Sequence, residues 1–369
     1  MLQKALVLVL VVTSVMGFTS CGSSANQYIY VTIPAASQII VYREDPNSGV
    51  LTQITGSPYA VGDGAVSLAL HPSGKFLYAA NPGVAGNSEN DISLFTIASN
   101  GAITEVFPRT SVAPNGSQPR LLRIDPAGNF LYVANASSQN ISVFSIASGT
   151  GALTAVAGSP FFLSASPLNM QLTPSGNVLF VSIPGQTSGT ILTFSVNSGV
   201  LTLTNGIATD GPNPDGLAID PSGANLYVSN YSSNSISVFN IGSSPSPGTL
   251  TEVSGSPLNT GYSAPVALTL DPKGQYLYVA NQGSSNIAAY SINSTTALPN
   301  ILTTSTTTGA FATEGSPSFL AFDPSGKYLY VGNQGSSSGI QAFSVSTGNL
   351  TAISIYAVGN TPSSMVVGK

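Results

Sequence analysis

Residues 217–241 read LAIDPSGANLYVSNYSSNSISVFNI. An apolar run meets a tight turn, DPSG. A second apolar run follows, then a polar loop, then a third apolar run. Pro at the second turn position presets φ, Asp at the first can accept backbone hydrogen bonds, and Gly suits the fourth. The proline lies outside the strands and removes no ladder bond. The stretch predicts three short antiparallel strands, and the chain repeats it.

The second run recurs around Tyr30, Tyr78, Tyr132, Phe180, Tyr227, Tyr278 and Tyr330, at intervals of 48, 54, 48, 47, 51 and 52 residues. The third recurs as IIVYRE, ISLFTI, ISVFSI, ILTFSV, ISVFNI, IAAYSI and IQAFSV. A weaker fourth run follows most copies, as in GTLTEVSGSP. Polar residues inside the runs are small, so both faces of each sheet should be covered by neighbours. Four strands in each repeat of this length is the pattern of a propeller blade. No 3.6-residue periodicity argues for a helical solenoid. The repeats open at Tyr28 on a second-strand copy and end at 363–369 on a first-strand copy, SSMVVGK. The expected fold is all-β: a seven-bladed β-propeller of four-stranded blades over residues 28–369. The C-terminal strand should join the N-terminal blade and close the ring, leaving no free sheet edge at the seam.

Residues 1–20 read as a signal peptide: Lys4, the apolar run ALVLVLVVTSVMGF, then small residues. The run is short for a membrane span. FTSC resembles a lipobox, which predicts cleavage before Cys21 and lipidation of Cys21, with 21–27 as a flexible tether. The expected location is the cell envelope, anchored by lipid to a bacterial membrane. Cys21 is the only cysteine, so no disulfide supports the core.

Charged residues make up 6% of the chain, nine basic and fourteen acidic, with net charge −5; ordinary soluble proteins carry about 25%. No basic cluster exists for a nucleic acid backbone. One histidine, His71, and one cysteine leave little for a metal site, and neither a metal nor another cofactor is expected. His71 occupies the turn slot filled elsewhere by Asp125, Thr173, Asp220, Asp271 and Asp323. Recurrence at one turn makes these turn residues rather than catalytic acids. The molecule is expected to be a monomer.

LAIDPSGANLYVSN and LTLDPKGQYLYVAN resemble the YVTN-type propeller repeat. The layout from about residue 28 to the end resembles the lactonase seven-bladed propellers, which include bacterial 6-phosphogluconolactonases. The resemblance implies a channel-mouth site with Pro-Arg-His before one first strand and Asn-Glu after its second strand. Here the stretches are NPDG (213–216) and SNY (229–231). Pro214 and Asn230 match, but Asp215, Gly216 and Tyr231 stand in the Arg, His and Glu places. In a later repeat Glu314 and Pro317 are kept, with Ser318 in an Arg place. Lactone hydrolysis needs a base for water and positive donors for the oxyanion. The expectation is therefore a binding or surface-scaffold protein, with a carbohydrate-lactone hydrolase as the alternative.

The mouth of such a channel is formed by the second-to-third and fourth-to-first loops. Asn81, Asn135, Asn230, Asn281 and Asn333 end the second strands; they could ring the mouth, but strand-ending turn chemistry is the favoured reading. Charges near the mouth are Asp63, Arg120, Asp215 and Glu314. Arg123 lies within an innermost strand, where the other copies hold Ala69, Gln171, Ala218, Thr269, Ala321 and Val366. It should point into the wet channel, or meet Asp215 or carbonyl groups. The candidate catalytic residues are Arg120, Asp215 and Glu314. The candidate ligand contacts are Arg120, Arg123, Asp215, Asn230 and Tyr231, for a polar small molecule, carbohydrate or protein.

Overall fold

The computed structural model describes residues 26–368 except 86, 244–245, 304–308 and 336–337. The expected signal peptide, residues 1–20, and Cys21 lie outside the described residues. The strands form seven antiparallel sheets, each built from consecutive strands except one. That one combines Ser364–Gly368 with Gln27–Ile33, Gln38–Glu44 and Leu51–Gln53, and the two chain ends pair antiparallel, Tyr28 opposite Gly368 and Tyr30 opposite Val366. We number this sheet blade 1 and follow the chain to blade 7. Each innermost strand lies against the next around a closed circle.

The register follows the repeat. Tyr78, Tyr132, Phe180, Tyr227, Tyr278 and Tyr330 sit opposite Ala69, Arg123, Gln171, Ala218, Thr269 and Ala321. Buried side chains form seven clusters, one at each interface between neighbouring blades. Between blades 5 and 6, for example, Tyr227, Ile236 and Val238 meet Leu277, Val279 and Tyr290. This is why the runs are apolar on both faces: each sheet is covered twice.

The Asp-Pro turns behave as the sequence reading expects. Oδ1 of Asp125, Asp271 and Asp323 accepts the backbone N–H five residues on, at 2.6–2.7 Å. His71 fills the same slot. Its Nδ1 accepts the Ser73 N–H at 3.1 Å, so Nε2 carries the proton and donates to Gly128 O of blade 3 at 2.9 Å.

The outermost strand departs from expectation. In blades 1, 3, 5 and 6 it is two short pieces, such as Leu153–Ala155 and Phe161–Phe162, both paired to the third strand. In blades 1, 3 and 5 the break is the Gly-Ser-Pro turn. There Ser57, Ser159 and Ser256 use Oγ to accept the N–H of Val41, Val143 and Val238, at 2.8–2.9 Å. A side chain thus replaces the carbonyl that the interrupted ladder cannot supply.

Candidate functional site

The innermost strands of all seven blades surround a cavity of about 1090 Å³, just above the usual range for small-molecule sites. Pro82, Ala136, Tyr231, Gln282 and Gln334 are among its walls. The first four directly follow the last residue of a second strand and Gln334 is the last residue of one, so the cavity opens at the end predicted for the mouth. The charged walls are Arg120, Arg123 and Asp215.

Arg123 sits in Pro119–Ile124, opposite Tyr132. Strand alternation turns it to the channel, as it does the small side chains in equivalent places. Its guanidinium donates to three neutral acceptors: Leu122 O at 2.9 Å, Gln171 Oε1 at 3.3 Å and Asn169 Oδ1 at 3.3 Å. Burial pulls its pKa down to about 10, so it remains a cation at neutral pH. The ion pairs among the described residues both belong to Arg109, with Glu89 and Glu105. Arg123 is half-buried; among the described residues its hydrogen-bond acceptors are these neutral oxygens, with no carboxylate within ion-pair reach.

Asp215, in Pro214–Ile219, enters the same cavity from blade 5. Burial pushes its carboxyl up to about 6, with the positive charge of Arg120 opposing the rise. Arg120 is exposed at the mouth and forms no ion pair with Asp215 within 4.0 Å. Asn169 links the two sides. Its Oδ1 accepts from Arg123 while its Nδ2 donates to Asp215 O at 2.8 Å. Blades 3, 4 and 5 are therefore joined across the wall by one amide. The sequence reading missed Asn169. The signal was present: Asn169 and Gln171 are two residues apart on an innermost strand, so both point the same way.

Gly216 also lines the cavity. A Cβ there would stand 2.6 Å from Ser229 Oγ of the same blade and 3.1 Å from Ala267 Cα of blade 6, so a side chain would displace the Ser229 hydroxyl and press on blade 6. Tyr231 is a wall residue as expected, its N–H held by Asn213 O at 2.9 Å.

Two candidates do not join this group. Asn230 is 1% exposed, and its Nδ2 donates to Ser235 Oγ and Ser237 Oγ at 3.0 and 2.9 Å. The other second-strand asparagines are buried likewise, Asn81 on Asp91 and Ser93, Asn135 on Asn140 and Ser142. They tie the second strand to the third instead of ringing the mouth. The physical reason is register: each amide faces the start of the paired third strand, where a small polar residue waits. Glu314 is exposed and is not a wall of the cavity; its N–H donates to Gln341 Oε1 at 3.2 Å. Asp63 lies in a separate polar cluster, accepting from Ser37 and Asn87 while its N–H donates to Glu89.

The chain matches the family described as "Lactonase, 7-bladed beta-propeller" over residues 21–166, 164–259, 244–312 and 259–367. Among curated relatives, a 6-phosphogluconolactonase of Formosa agariphila is 41% identical over 81 residues, 22% of this chain and 21% of that protein. A 6-phosphogluconolactonase of Pectobacterium carotovorum is 28% identical over 154 residues, 39% of this chain and 44% of that protein. The matches thus span less than half the length of these curated relatives. The solved structure of the periplasmic gluconolactonase of Pseudomonas aeruginosa superposes with a TM-score of 0.73 at 18% identity, covering 93% of this chain and 98% of that one. At that identity the likeness speaks for the fold alone. With the seven sheets, the closed seam and the near-complete family match in place, this chain belongs to the lactonase seven-bladed β-propeller family.

Proposed function

We propose that this member is an exported, lipid-anchored binding protein that takes a small, anion-bearing polar ligand, such as a sugar acid, in the channel mouth. The observation that carries the proposal is Arg123: a cavity-wall cation with only neutral acceptors around it. Arg120 adds a second positive charge nearer the solvent. The binding reading also rests on the residues at the family's Arg, His and Glu places, here Asp215, Gly216 and Tyr231. Gly216 offers no proton-transfer group. Titration calorimetry with D-glucuronate, D-gluconate and inorganic phosphate tests it. Binding of at least one is expected, weakened about 10- to 100-fold by Arg123→Met, the range for losing a charged hydrogen bond. Absence of binding by all three, together with turnover of a lactone, would sink the proposal.

One observation favours a second reading, a carbohydrate-lactone hydrolase. Asp215, held up to about 6, is poised to exchange protons near neutral pH beside Arg120. Hydrolysis of D-glucono-δ-lactone that rises as pH passes through about 6 and disappears in Asp215→Asn would establish it. For the anchor, membrane fractionation of the Cys21→Ser variant is decisive: release from the membrane fraction is expected.

A further inference from the structure

The cavity wall divides by chemistry. In blades 3, 5, 6 and 7 a β-bulge near the mouth leaves one first-strand residue without a partner: Arg120, Asp215, Val266 and Ser318. A bulge re-aims the side chain it carries, and all four line the cavity. Val66, Leu168 and Ser363 hold the same place in blades 2, 4 and 1 and line it too. In this ring the charges fall on blades 3 and 5 alone. Farther from the mouth, Arg123 and Asn169 keep polar groups on blades 3 and 4. The charged side is not free of carbon, since Leu121 and Leu168 also line it, but every ionic wall group among the described residues is there.

Blades 6, 7, 1 and 2 make the other arc, and their wall hydroxyls are taken up by the protein. Ser318 Oγ donates to Gly332 O at 3.1 Å, and Ser363 Oγ shares a hydrogen bond with Thr32 Oγ1 at 2.9 Å. Ser364 Oγ accepts the Leu68 N–H and Ser67 Oγ the Leu122 N–H, both at 3.1 Å. The amides of the arc, Gln282 and Gln334, stand at the rim, where second strands end. Within the cavity this arc presents carbon: Val66, Val266, Ala267, Phe319, Leu320 and Val366 line it and are half-buried.

Two demands therefore meet in one space. Arg123 is a cation whose acceptors are neutral, and it favours an anion. The opposite arc leaves apolar side chains facing the cavity, and an apolar group laid on them removes that surface from water, at a gain proportional to its area. A ligand hydroxylated along its whole length would set hydroxyls against carbon without hydrogen-bond partners, which is unfavourable. The cavity is large enough for one ligand to touch both sides.

From this division we infer that the ligand is an amphipathic carboxylate, its acid group held on the side of Arg120 and Arg123 and an alkyl or aryl segment laid on the arc of Val66, Val266 and Phe319. The inference rests on the anion-binding reading proposed above and narrows its ligand class to acids that carry an apolar tail. The arginines select the head. The arc selects the tail, and it rejects a polyol chain because its own hydroxyls are already engaged.

The test is titration calorimetry on the full-length protein carrying Cys21→Ser, so that no detergent or lipid competes for the tail. The probes are butyrate, hexanoate, octanoate, D-gluconate and 1-hexanol. A fully buried methylene strengthens binding about fourfold, so hexanoate is expected to bind about 4- to 16-fold more tightly than butyrate. It should also bind about 10-fold or more tightly than D-gluconate, whose hydroxyls meet the apolar arc, and than 1-hexanol, which lacks the charge. Arg123→Met should erase the advantage of hexanoate over 1-hexanol. Val66→Ser/Val266→Ser should lower the hexanoate-to-butyrate ratio at least about threefold. D-gluconate bound with no rise in affinity from butyrate to octanoate overturns the inference and leaves the anion-binding reading standing. 1-Hexanol bound as tightly as hexanoate overturns it as well, because the charged end would then be idle. A ratio unmoved in a folded double variant puts the tail elsewhere and overturns the assigned arc. Should that variant fail to fold, the chain-length series on the parent protein decides. No binding by any of the acids overturns the inference and the anion-binding reading together.

Discussion

Glu44 breaks the repeat at a single residue. In the other blades the same place in the third run holds Ile97, Ile146, Val196, Ile241, Ile292 and Val345. Glu44 is nevertheless buried, and neither carboxylate oxygen has a hydrogen-bond partner among the described residues. Burial pushes its carboxyl from 4.5 up to about 7; the Asp323 and Asp45 charges add to the rise and the Tyr330 hydroxyl opposes it. Folding therefore favours the protonated acid. Its contribution is most favourable below pH 4.5, is lost as pH rises toward 7, and is a full penalty above that. A shift of this size corresponds to about 3 kcal/mol. Glu44→Gln removes the ionisation. The variant should gain about 2–3 kcal/mol over wild type at pH 8 and little at pH 4.5, read by denaturant unfolding at both values. A difference that does not change with pH would show that Glu44 stays ionised in the fold.

Blades are joined by devices that recur once per element. The central tyrosine of a second strand reaches into the next blade: Tyr78 donates to Gly151 O at 2.7 Å, Tyr278 to Gly348 O at 3.0 Å and Tyr330 to Gly49 O at 3.2 Å. Their acceptors lie in third-to-fourth strand turns. At the other turn, the Gly of the Asp-Pro motifs in blades 5, 6 and 7 sits over the proline of the preceding blade, while Gly128 of blade 3 sits over His71. A Cβ on Gly274 or Gly326, both at positive φ, would meet Pro221 or Pro272 Cδ at 2.8 Å. The tyrosine position has two natural exceptions. Phe180 has no hydroxyl, and the buried Tyr132 hydroxyl has no partner among the described residues. Tyr78→Phe should therefore cost about 1–2 kcal/mol by leaving Gly151 O unmet, whereas Tyr132→Phe should be neutral or stabilising by up to about 1 kcal/mol. Equal losses in paired thermal melts would refute the clasp. The blades, their register and the turn role of the aspartates were legible because period and turn chemistry are local signals. The tyrosine clasp and the Asn169 bridge were not: each depends on which neighbouring blade a polar tip meets, and sequence spacing within one blade does not carry that. The burial of Asn230 depends instead on its Ser235 and Ser237 partners across the same hairpin. Arg123 lay between these cases: its strand position was readable, its acceptors were not.

The molecule as a whole depends on a seam that unites its two ends. Ser364–Gly368 gives blade 1 its innermost strand and the cavity three of its walls, Ser364, Met365 and Val366. Thr32 Oγ1 and Ser363 Oγ share a hydrogen bond at 2.9 Å, and Ser364 Oγ accepts the N–H of Leu68 in blade 2 at 3.1 Å. The strand therefore holds three blades, since Met365 also packs in the cluster between blades 1 and 7. Without it, Gln27–Ile33 becomes a bare edge, its inward N–H and C=O groups unmet beside the channel. Removing residues 363–369 should lower the melting temperature by roughly 10 °C or more, broaden the transition and promote association through the freed edge. A synthetic peptide of that sequence should restore the lost stability by adding a strand, as edge-binding peptides do. Sugar-acid binding should return with it, because the peptide rebuilds that part of the cavity wall. An unchanged melting temperature in the truncated protein would mean that six blades and their contacts hold the ring without the seam.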